Sequence, residues 1–221
     1  MLVRGTFAAT SWALLGPALA QRGYCVFRFD YGNDGTADIV TSAHELARFV
    51  DRLLARTGAR RVSIVGHSEG GLMPRYYIRF LGGAAKVDDL VGLAPSNHGT
   101  DNPLALEGAL LGCTACGQQL AWGSTFLSTL NAGDETPAPV DYTTIETAYD
   151  EVVVPYTSAF LTGPAARVTN VTLQARCPDD FSGHLDITLD PVALQWVENA
   201  LSRPGPAAPG LRPSCSPGTA R

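Results

Sequence analysis

Residues 61–71 read RVSIVGHSEGG, and this stretch decides the fold that we predict. Residues 62–65, which are mostly β-prone, predict a short buried strand, and the largely apolar and aromatic stretch 72–80 predicts a helix directly after it. Between them lies the pattern G-x-S-x-G, in which a serine occupies a sharp turn from strand to helix. Both glycines are needed because a Cβ at either position would collide with the neighbouring element. Ser68 is therefore predicted to be a nucleophile at a helix N-terminus, where free N–H groups favour a developing negative charge.

Length and composition indicate one globular domain. The chain has 221 residues, of which 45% are hydrophobic and 17% charged, and this suits a single α/β core. The net charge of −5 gives no reason to expect binding to nucleic acid or to an anionic membrane surface. We expect a monomer, with a catalytic domain over residues 1–203. Residues 204–221 form a tail that is too rich in Pro and Gly for regular structure.

Predicted strands and helices alternate along the chain, which is typical of a parallel sheet covered by helices on both faces. The fold class is therefore α/β, with a mainly parallel six-stranded sheet whose ligands bind at the carboxyl ends of the strands. Strands are predicted at 1–4, 24–29, 62–65, 90–93, 142–146 and 168–173. Helices are predicted at 11–22, 39–56, 69–81 and 192–201, with a broken helical region within 104–130.

The five cysteines predict two disulfides. Cys113 and Cys116 form a C-x-x-C pair, but no second pair or paired histidine completes a metal site. We expect a local Cys113–Cys116 disulfide and a Cys177–Cys215 disulfide that ties down the tail. Cys25 lies in the apolar run 24–27 and is expected to be a buried free thiol. Because disulfides persist in oxidising compartments, the pattern predicts a secreted protein.

The N-terminal residues resemble a signal peptide but are better interpreted as a folded helix. Arg4, the apolar residues 7–16 and the small residues at 18–20 imitate an export signal with its cleavage site. However, Trp12, Leu15 and Leu19 recur at helical spacing. We therefore expect a secreted protein whose export signal lies outside this sequence.

Chain order selects the base that would activate Ser68. A serine hydroxyl is a weak nucleophile at neutral pH and needs a histidine, itself oriented by an acid. In α/β-hydrolases the serine comes first, the acid second and the histidine last. Only four histidines occur, and His184 alone follows the last predicted strand on a loop before the terminal helix. His98 is the alternative, more simply interpreted as a loop residue that bonds its own backbone.

Position selects Asp150 as the acid. The residue must lie between Ser68 and His184 at the end of a strand, and Asp150 follows the predicted strand 142–146. Its neighbour Glu151 is expected to point elsewhere. Asp179 and Asp180 are the alternatives, although they lie close in sequence to the histidine that they would have to orient.

Several separate motifs resemble the class 2 family of secreted bacterial triacylglycerol lipases and esterases, especially its actinobacterial branch. They are VRGT at 3–6, GHSEGG at 66–71, LAPSNHGT at 93–100, YDEVVVP at 149–155 and GHL at 183–185. The resemblance implies a small α/β-hydrolase core with the triad Ser68, Asp150 and His184. It also implies an oxyanion hole made by the backbone N–H groups of Thr6 and Glu69, and Glu69 fits as the residue after the nucleophile.

One residue departs from the family pattern. The family usually has His-Gly where this chain has Arg4-Gly5. We expect the arginine to loosen the loop that presents Thr6, so that Arg4→His would raise turnover.

These residues predict a carboxylic-ester hydrolase that acts on acylglycerols or other acyl esters, with no cofactor and no metal. A lipid–water interface is the expected setting. Alternatives are a cutinase- or polyester-type esterase with the same triad, and a hydrolase-fold binding module of weak catalytic power. The apolar residues 104–111 form either a flap over the site, which would favour lipids, or ordinary core.

Overall fold

Residues 1–8 and 10–215, which the computed structural model describes, form a six-stranded sheet in the order β2-β1-β3-β4-β5-β6. All neighbouring strands in this sheet are parallel, which confirms the predicted fold class. The strands are β1 (Leu2–Val3), β2 (Arg28–Phe29), β3 (Val62–His67), β4 (Val87–Leu93), β5 (Asp141–Glu146) and β6 (Val168–Thr172).

Helices connect the strands. They are α1 (Leu15–Gln21), the single turn α2 (Gly32–Gly35), α3 (Ile39–Thr57), α4 (Glu69–Phe80), α5 (Pro103–Leu110), α6 (Thr114–Gln118), α7 (Thr125–Asn131) and α8 (Pro191–Leu201). The predicted broken region thus consists of α5, α6 and α7. Capping residues fix where the long helices begin: Asp38 accepts the Thr41 N–H at 2.7 Å, and Asp190 accepts the N–H groups of Val192 and Ala193 at 2.7 Å each.

Helices cover both faces of the sheet, because successive strand residues point to opposite sides. On β3, Ile64 packs into a core with the apolar faces of α3 and α4. The next residue, Val65, packs into a second core with α1 and α8, in which Trp196 is fully buried. This arrangement leaves the carboxyl ends of the strands as the edge where loops can build a site.

The prediction of a strand over residues 24–29 is wrong for residues 24–27. The sheet begins only where the Leu2 N–H donates to the Phe27 carbonyl at 2.8 Å, so residues 24–27 precede the strand. Because β2 lies at the sheet edge and pairs only with the two residues of β1, the segment before it is not covered by a neighbouring strand. Cys25 is consequently exposed rather than buried. The helix predicted at 11–22 is also shorter and begins at Leu15.

Both predicted disulfides are confirmed: Cys113 is bonded to Cys116, and Cys177 to Cys215. Residues 204–215 contain no helix or strand, yet they pack on the core. Ala207 is fully buried, and its N–H donates to the Thr143 hydroxyl on β5 at 2.9 Å. The boundary at residue 203 stays a prediction. Among the helices of the described chain, none has the length and apolar character needed to cross a membrane.

Candidate active site

Ser68 lies on a strained turn between β3 and α4. Its backbone angles are φ 55° and ψ −126°, which a residue with a side chain rarely adopts. Two glycines make the turn possible. A Cβ on Gly66 would lie 1.8 Å from the Gly70 carbonyl oxygen, and a Cβ on Gly70 would lie 2.3 Å from the Val3 oxygen of β1. The close packing of β1, β3 and α4 therefore requires both glycines of the motif.

Asp150 and His184 form a buried pair. His184 Nδ1 lies 2.8 Å from Asp150 Oδ2, and the two side chains are 4% and 0% exposed. The other carboxylate oxygen accepts the N–H groups of Val152 at 2.8 Å and Val153 at 2.7 Å. Burial acts to raise the pKa of Asp150, but hydrogen bonding to His184 and to backbone N–H groups outweighs it and holds the pKa below its usual range. An ionised Asp150 fixes the proton of His184 on Nδ1, which leaves Nε2 free to accept another.

One cavity of about 260 Å³ brings the predicted site residues together. Ser68, His184 and Thr6 line it, at the edge where β3 ends. Asp150 stands behind His184, in the loop after β5. The structure thus assembles, from four separate segments, the residues that the sequence predicted as nucleophile, base, acid and oxyanion-hole donor.

The alternative histidine and acids lie elsewhere. His98 is not part of the cavity wall. Its ring contacts the Ser158 carbonyl at 2.8 Å and the Glu135 carboxylate at 3.1 Å, so the expectation that it bonds its own backbone is wrong. Asp180 accepts the N–H of Ser182 at 3.0 Å, two residues away, as a local turn residue does. The only carboxylate hydrogen-bonded to the His184 ring within the described residues is that of Asp150.

The loop of residues 4–8, called the oxyanion loop after the role predicted for Thr6, is held against α4 by side chains. The Thr6 hydroxyl donates to Glu69 Oε2 at 2.6 Å and accepts from Gln119 Nε2 at 3.2 Å. Glu69 is fully buried, and burial raises the pKa of its carboxyl to about 8. The side chain is therefore largely uncharged near neutral pH. Among the hydrogen bonds of the described residues, none uses the backbone N–H of Thr6 or of Glu69.

Arg4 holds the oxyanion loop instead of loosening it, contrary to the expectation from the sequence. Its guanidinium pairs with Asp30 at 3.1 Å and with Asp34 at 2.9 Å, and only 12% of the side chain is exposed. Its carbonyl accepts the hydroxyl of Tyr31 at 2.9 Å. The arginine thus ties the loop to the turn after β2, a link that no residue of the local sequence indicates.

Three residues near the predicted triad make contacts that were not predicted from the sequence. Glu151, expected to point elsewhere, accepts the backbone N–H of His184 at 3.0 Å. Glu146 lies fully buried at the end of β5, where burial and then the negative Asp150 raise the pKa of its carboxyl well above the usual range. His67 contacts the carbonyl of His184 at 2.8 Å. These contacts join residues far apart in the chain or on opposite sides of a turn, so no spacing rule reveals them.

The mouth of the cavity is apolar and exposed. Phe7, Leu104, Ala105, Val152 and Leu185 line it, and Phe7 and Leu104 are more than half exposed. None of the eight residues of α5 is buried, and only one of them carries a charge. Of the two interpretations of residues 104–111, ordinary core is therefore wrong: α5 lies over the surface beside the cavity.

The parallel sheet, the nucleophile turn after β3, and the aspartate and histidine on loops after β5 and β6 define an α/β-hydrolase. Over residues 1–197 the chain matches the family described as Lipase (class 2), and it belongs to that family. This confirms the resemblance found in the sequence motifs.

Solved structures of lipases share the fold. Aspergillus fumigatus lipase B superposes with a TM-score of 0.82 at 25% identity, covering 94% of this chain and 53% of that protein. The mature form of Bacillus licheniformis lipase BlEst2 superposes with a TM-score of 0.61 at 17% identity, covering 77% of this chain and 81% of that one. The chain therefore spans about half the length of the Aspergillus enzyme.

Proposed function

We propose that this protein is a carboxylic-ester hydrolase that works through an acyl-enzyme on Ser68. The observation that carries the proposal is the buried Asp150–His184 pair at 2.8 Å, whose histidine lines the same cavity as the strained Ser68. A serine, a histidine and an aspartate in this order and arrangement are the parts that acyl transfer needs. The family and the fold are those of ester hydrolases.

The mechanism follows from the charges and protons of the site. Ser68 Oγ attacks the ester carbonyl while His184 Nε2 takes its proton, and Asp150 stabilises the imidazolium that results. The N–H groups of Thr6 and Glu69 donate to the oxyanion, and the uncharged Glu69 carboxyl adds no repulsion beside it. His184 then protonates the leaving alcohol. Water, activated by the same histidine, attacks the acyl-enzyme and releases the acid.

The surroundings of the cavity support lipid esters as the substrate class. α5 presents Leu104, Leu110 and, just beyond its end, Leu111 to solvent, with 65%, 79% and 89% of each residue exposed. Exposed apolar side chains on a helix beside a site favour contact with an apolar surface. We therefore propose acylglycerols or other acyl esters at a lipid–water interface. The two disulfides support secretion, because such bonds persist in oxidising compartments.

A fluorophosphonate probe tests the chemistry directly. The folded protein should be labelled on Ser68, and Ser68→Ala should abolish both labelling and ester hydrolysis while leaving the circular dichroism spectrum unchanged. His184→Ala should lower turnover by several orders of magnitude, on the scale of losing a triad base. His98→Ala is the matched control and should retain turnover. Failure of the folded protein to label would favour a binding module, and equal losses at both histidines would refute the choice of base.

A second experiment tests the substrate class. Leu110→Ser combined with Leu111→Ser should reduce hydrolysis of an emulsified triacylglycerol several-fold and leave hydrolysis of dissolved p-nitrophenyl acetate unchanged. Phe80→Ser removes an apolar side chain of 43% exposure at the far end of α4 and is the control. Equal losses on both substrates would count against an interfacial role for α5. Preference for an insoluble polyester over the triacylglycerol would identify a cutinase-type esterase instead.

A further inference from the structure

His67, the residue before the nucleophile, lies between two loops of the active site. It is 1% exposed, and its ring centroid is 4.8 Å from that of His184 at a tilt of 48°. The triad mechanism assigns this second histidine no step. A buried polar ring without hydrogen-bond partners would destabilise the protein, so each nitrogen of His67 must find a partner within the protein.

The partners of His67 determine its protonation. Nε2 lies 2.8 Å from the His184 carbonyl oxygen, and because a carbonyl can only accept, Nε2 must carry the hydrogen. Burial, followed by the nearby His184, lowers the pKa of His67 to about 3, so the ring is neutral at working pH. Nδ1 is consequently an acceptor. It lies 2.8 Å from the Thr10 hydroxyl, which therefore donates to it.

Thr10 continues the chain of hydrogen bonds into the oxyanion loop. Its hydroxyl oxygen accepts the N–H of Gly5 at 2.8 Å, and Gly5 immediately precedes Thr6. The route is thus Gly5 N–H to Thr10, Thr10 O–H to His67, and His67 N–H to the carbonyl of His184. Each donor has one acceptor, so the network has a single arrangement of hydrogens. Gly5 also packs closely against the nucleophile, since a Cβ at this position would lie 3.0 Å from the Ser68 Cβ.

We propose that His67 is a positioning residue that couples the oxyanion loop to the backbone of the triad histidine, on both sides of Ser68. This inference rests on the proposed function, because both loops matter through the acylation of Ser68. The hydrogen bond to the His184 carbonyl fixes the backbone of His184 and thereby the position of its imidazole relative to the Ser68 hydroxyl. The hydrogen bond through Thr10 sets the position of the Gly5–Thr6 peptide, whose N–H would bind the oxyanion. Displacement of reacting groups by about 1 Å can cost a hundredfold in rate.

Substitutions at position 67 separate the two ends of the network. His67→Phe keeps a ring but removes both hydrogen bonds, and should lower kcat by roughly 10- to 100-fold with little change in KM. His67→Gln retains an N–H near the position of Nε2 and should recover part of the loss through His184. His67→Asn retains a carbonyl near the position of Nδ1 and should recover part of it through Thr10. A higher KM with unchanged kcat in His67→Phe would overturn the proposal, because it would mean that His67 affects only substrate binding.

Thr10 provides an independent test. Thr10→Val removes the hydroxyl at nearly constant volume and should lower kcat, whereas Thr10→Ser keeps the hydroxyl and is the control. If one network is involved, Thr10→Val should add little to the loss in His67→Phe, so the two effects should not be additive. Additive losses would overturn the coupling. If His67→Phe does not fold, the Thr10 pair carries the comparison alone, and equal kcat for Thr10→Val and wild type would overturn the proposal.

Two further measurements distinguish positioning from other roles. In His67→Phe the acid limb of kcat/KM should keep its one-proton shape, because His184 remains the base; loss of that limb would make His67 the base. The proton on His184 Nδ1, shared with Asp150, should give a downfield NMR resonance that shifts or broadens in His67→Phe and is restored in His67→Gln. This resonance requires no ester hydrolysis, so it tests His67 even if the wild-type protein fails to label on Ser68. An unchanged resonance in His67→Phe would overturn the proposal.

Discussion

Glu69→Gln should remove a large pH dependence from the stability of this protein. The Glu69 carboxyl is fully buried, and burial raises its pKa from 4.5 to about 8. Below pH 4.5 the carboxyl is protonated in both the folded and the unfolded chain, and its contribution to stability is complete. Between 4.5 and about 8 only the unfolded chain ionises, so the free energy of unfolding falls as the pH rises. Above about 8 both forms are ionised and the loss is complete.

The size of the effect follows from the two pKa values. One pH unit corresponds to about 1.4 kcal/mol, so the difference between 4.5 and about 8 corresponds to about 5 kcal/mol. Between pH 5 and pH 8 the wild type should therefore lose about 4 kcal/mol relative to Glu69→Gln. The amide cannot ionise, but its oxygen can still accept the Thr6 hydroxyl that Glu69 Oε2 accepts at 2.6 Å. The variant thus isolates the titration from the hydrogen bond.

Urea denaturation at several pH values between 5 and 8 measures this difference. Glu107→Gln, on the exposed α5, is the control for removing any carboxylate from the chain. The free energy of unfolding of wild type minus that of Glu69→Gln should decline across the range, whereas the same difference for Glu107→Gln should stay nearly constant. A flat difference for Glu69→Gln would refute the reasoning, since it would mean that the carboxyl ionises in the folded protein as it does in water.

Three further predictions concern the same site. Asp150→Asn should leave the fold intact but disfavour the tautomer in which His184 can accept the serine proton, with a loss on the order of 10⁴-fold in kcat; a loss of only a few-fold would point to another acid. Arg4→His should lower turnover by less than about tenfold, because the ion pairs it breaks involve exposed carboxylates; a rise would restore the view that arginine loosens the loop. Gly70→Ala should lower the free energy of unfolding by about 3 kcal/mol or more, because its Cβ would lie 2.3 Å from the backbone oxygen of Val3 and 2.4 Å from that of Arg4. Gly117→Ala, whose Cβ would lie 3.4 Å from that of Ala109, is the control, and equal urea midpoints for the two variants would contradict the packing argument.

Local sequence determined the features whose requirements fall within a few residues. The G-x-S-x-G turn needs glycines two positions on either side of Ser68, and the structure shows the collisions that they avoid. Predicted strands and helices that alternate along the chain predicted the parallel sheet, because strands buried on both faces read as short apolar runs and each is followed by a helical pattern. Chain order and strand ends were enough to select Asp150 and His184, which the structure brings within 2.8 Å. Their roles in catalysis stay predictions.

Tertiary structure decided the features that depend on contacts between distant segments. Cys25 is exposed because β2 is an edge strand, which composition does not reveal. An apolar helix packs into the core or lies on the surface according to what its neighbours already cover, and α5 lies on the surface. Glu69 holds Thr6 across 63 residues, and His67 contacts the His184 carbonyl across 117. Spacing in the sequence determines only which face of its own helix or strand a side chain occupies. These hydrogen bonds depend instead on how separate elements pack against each other.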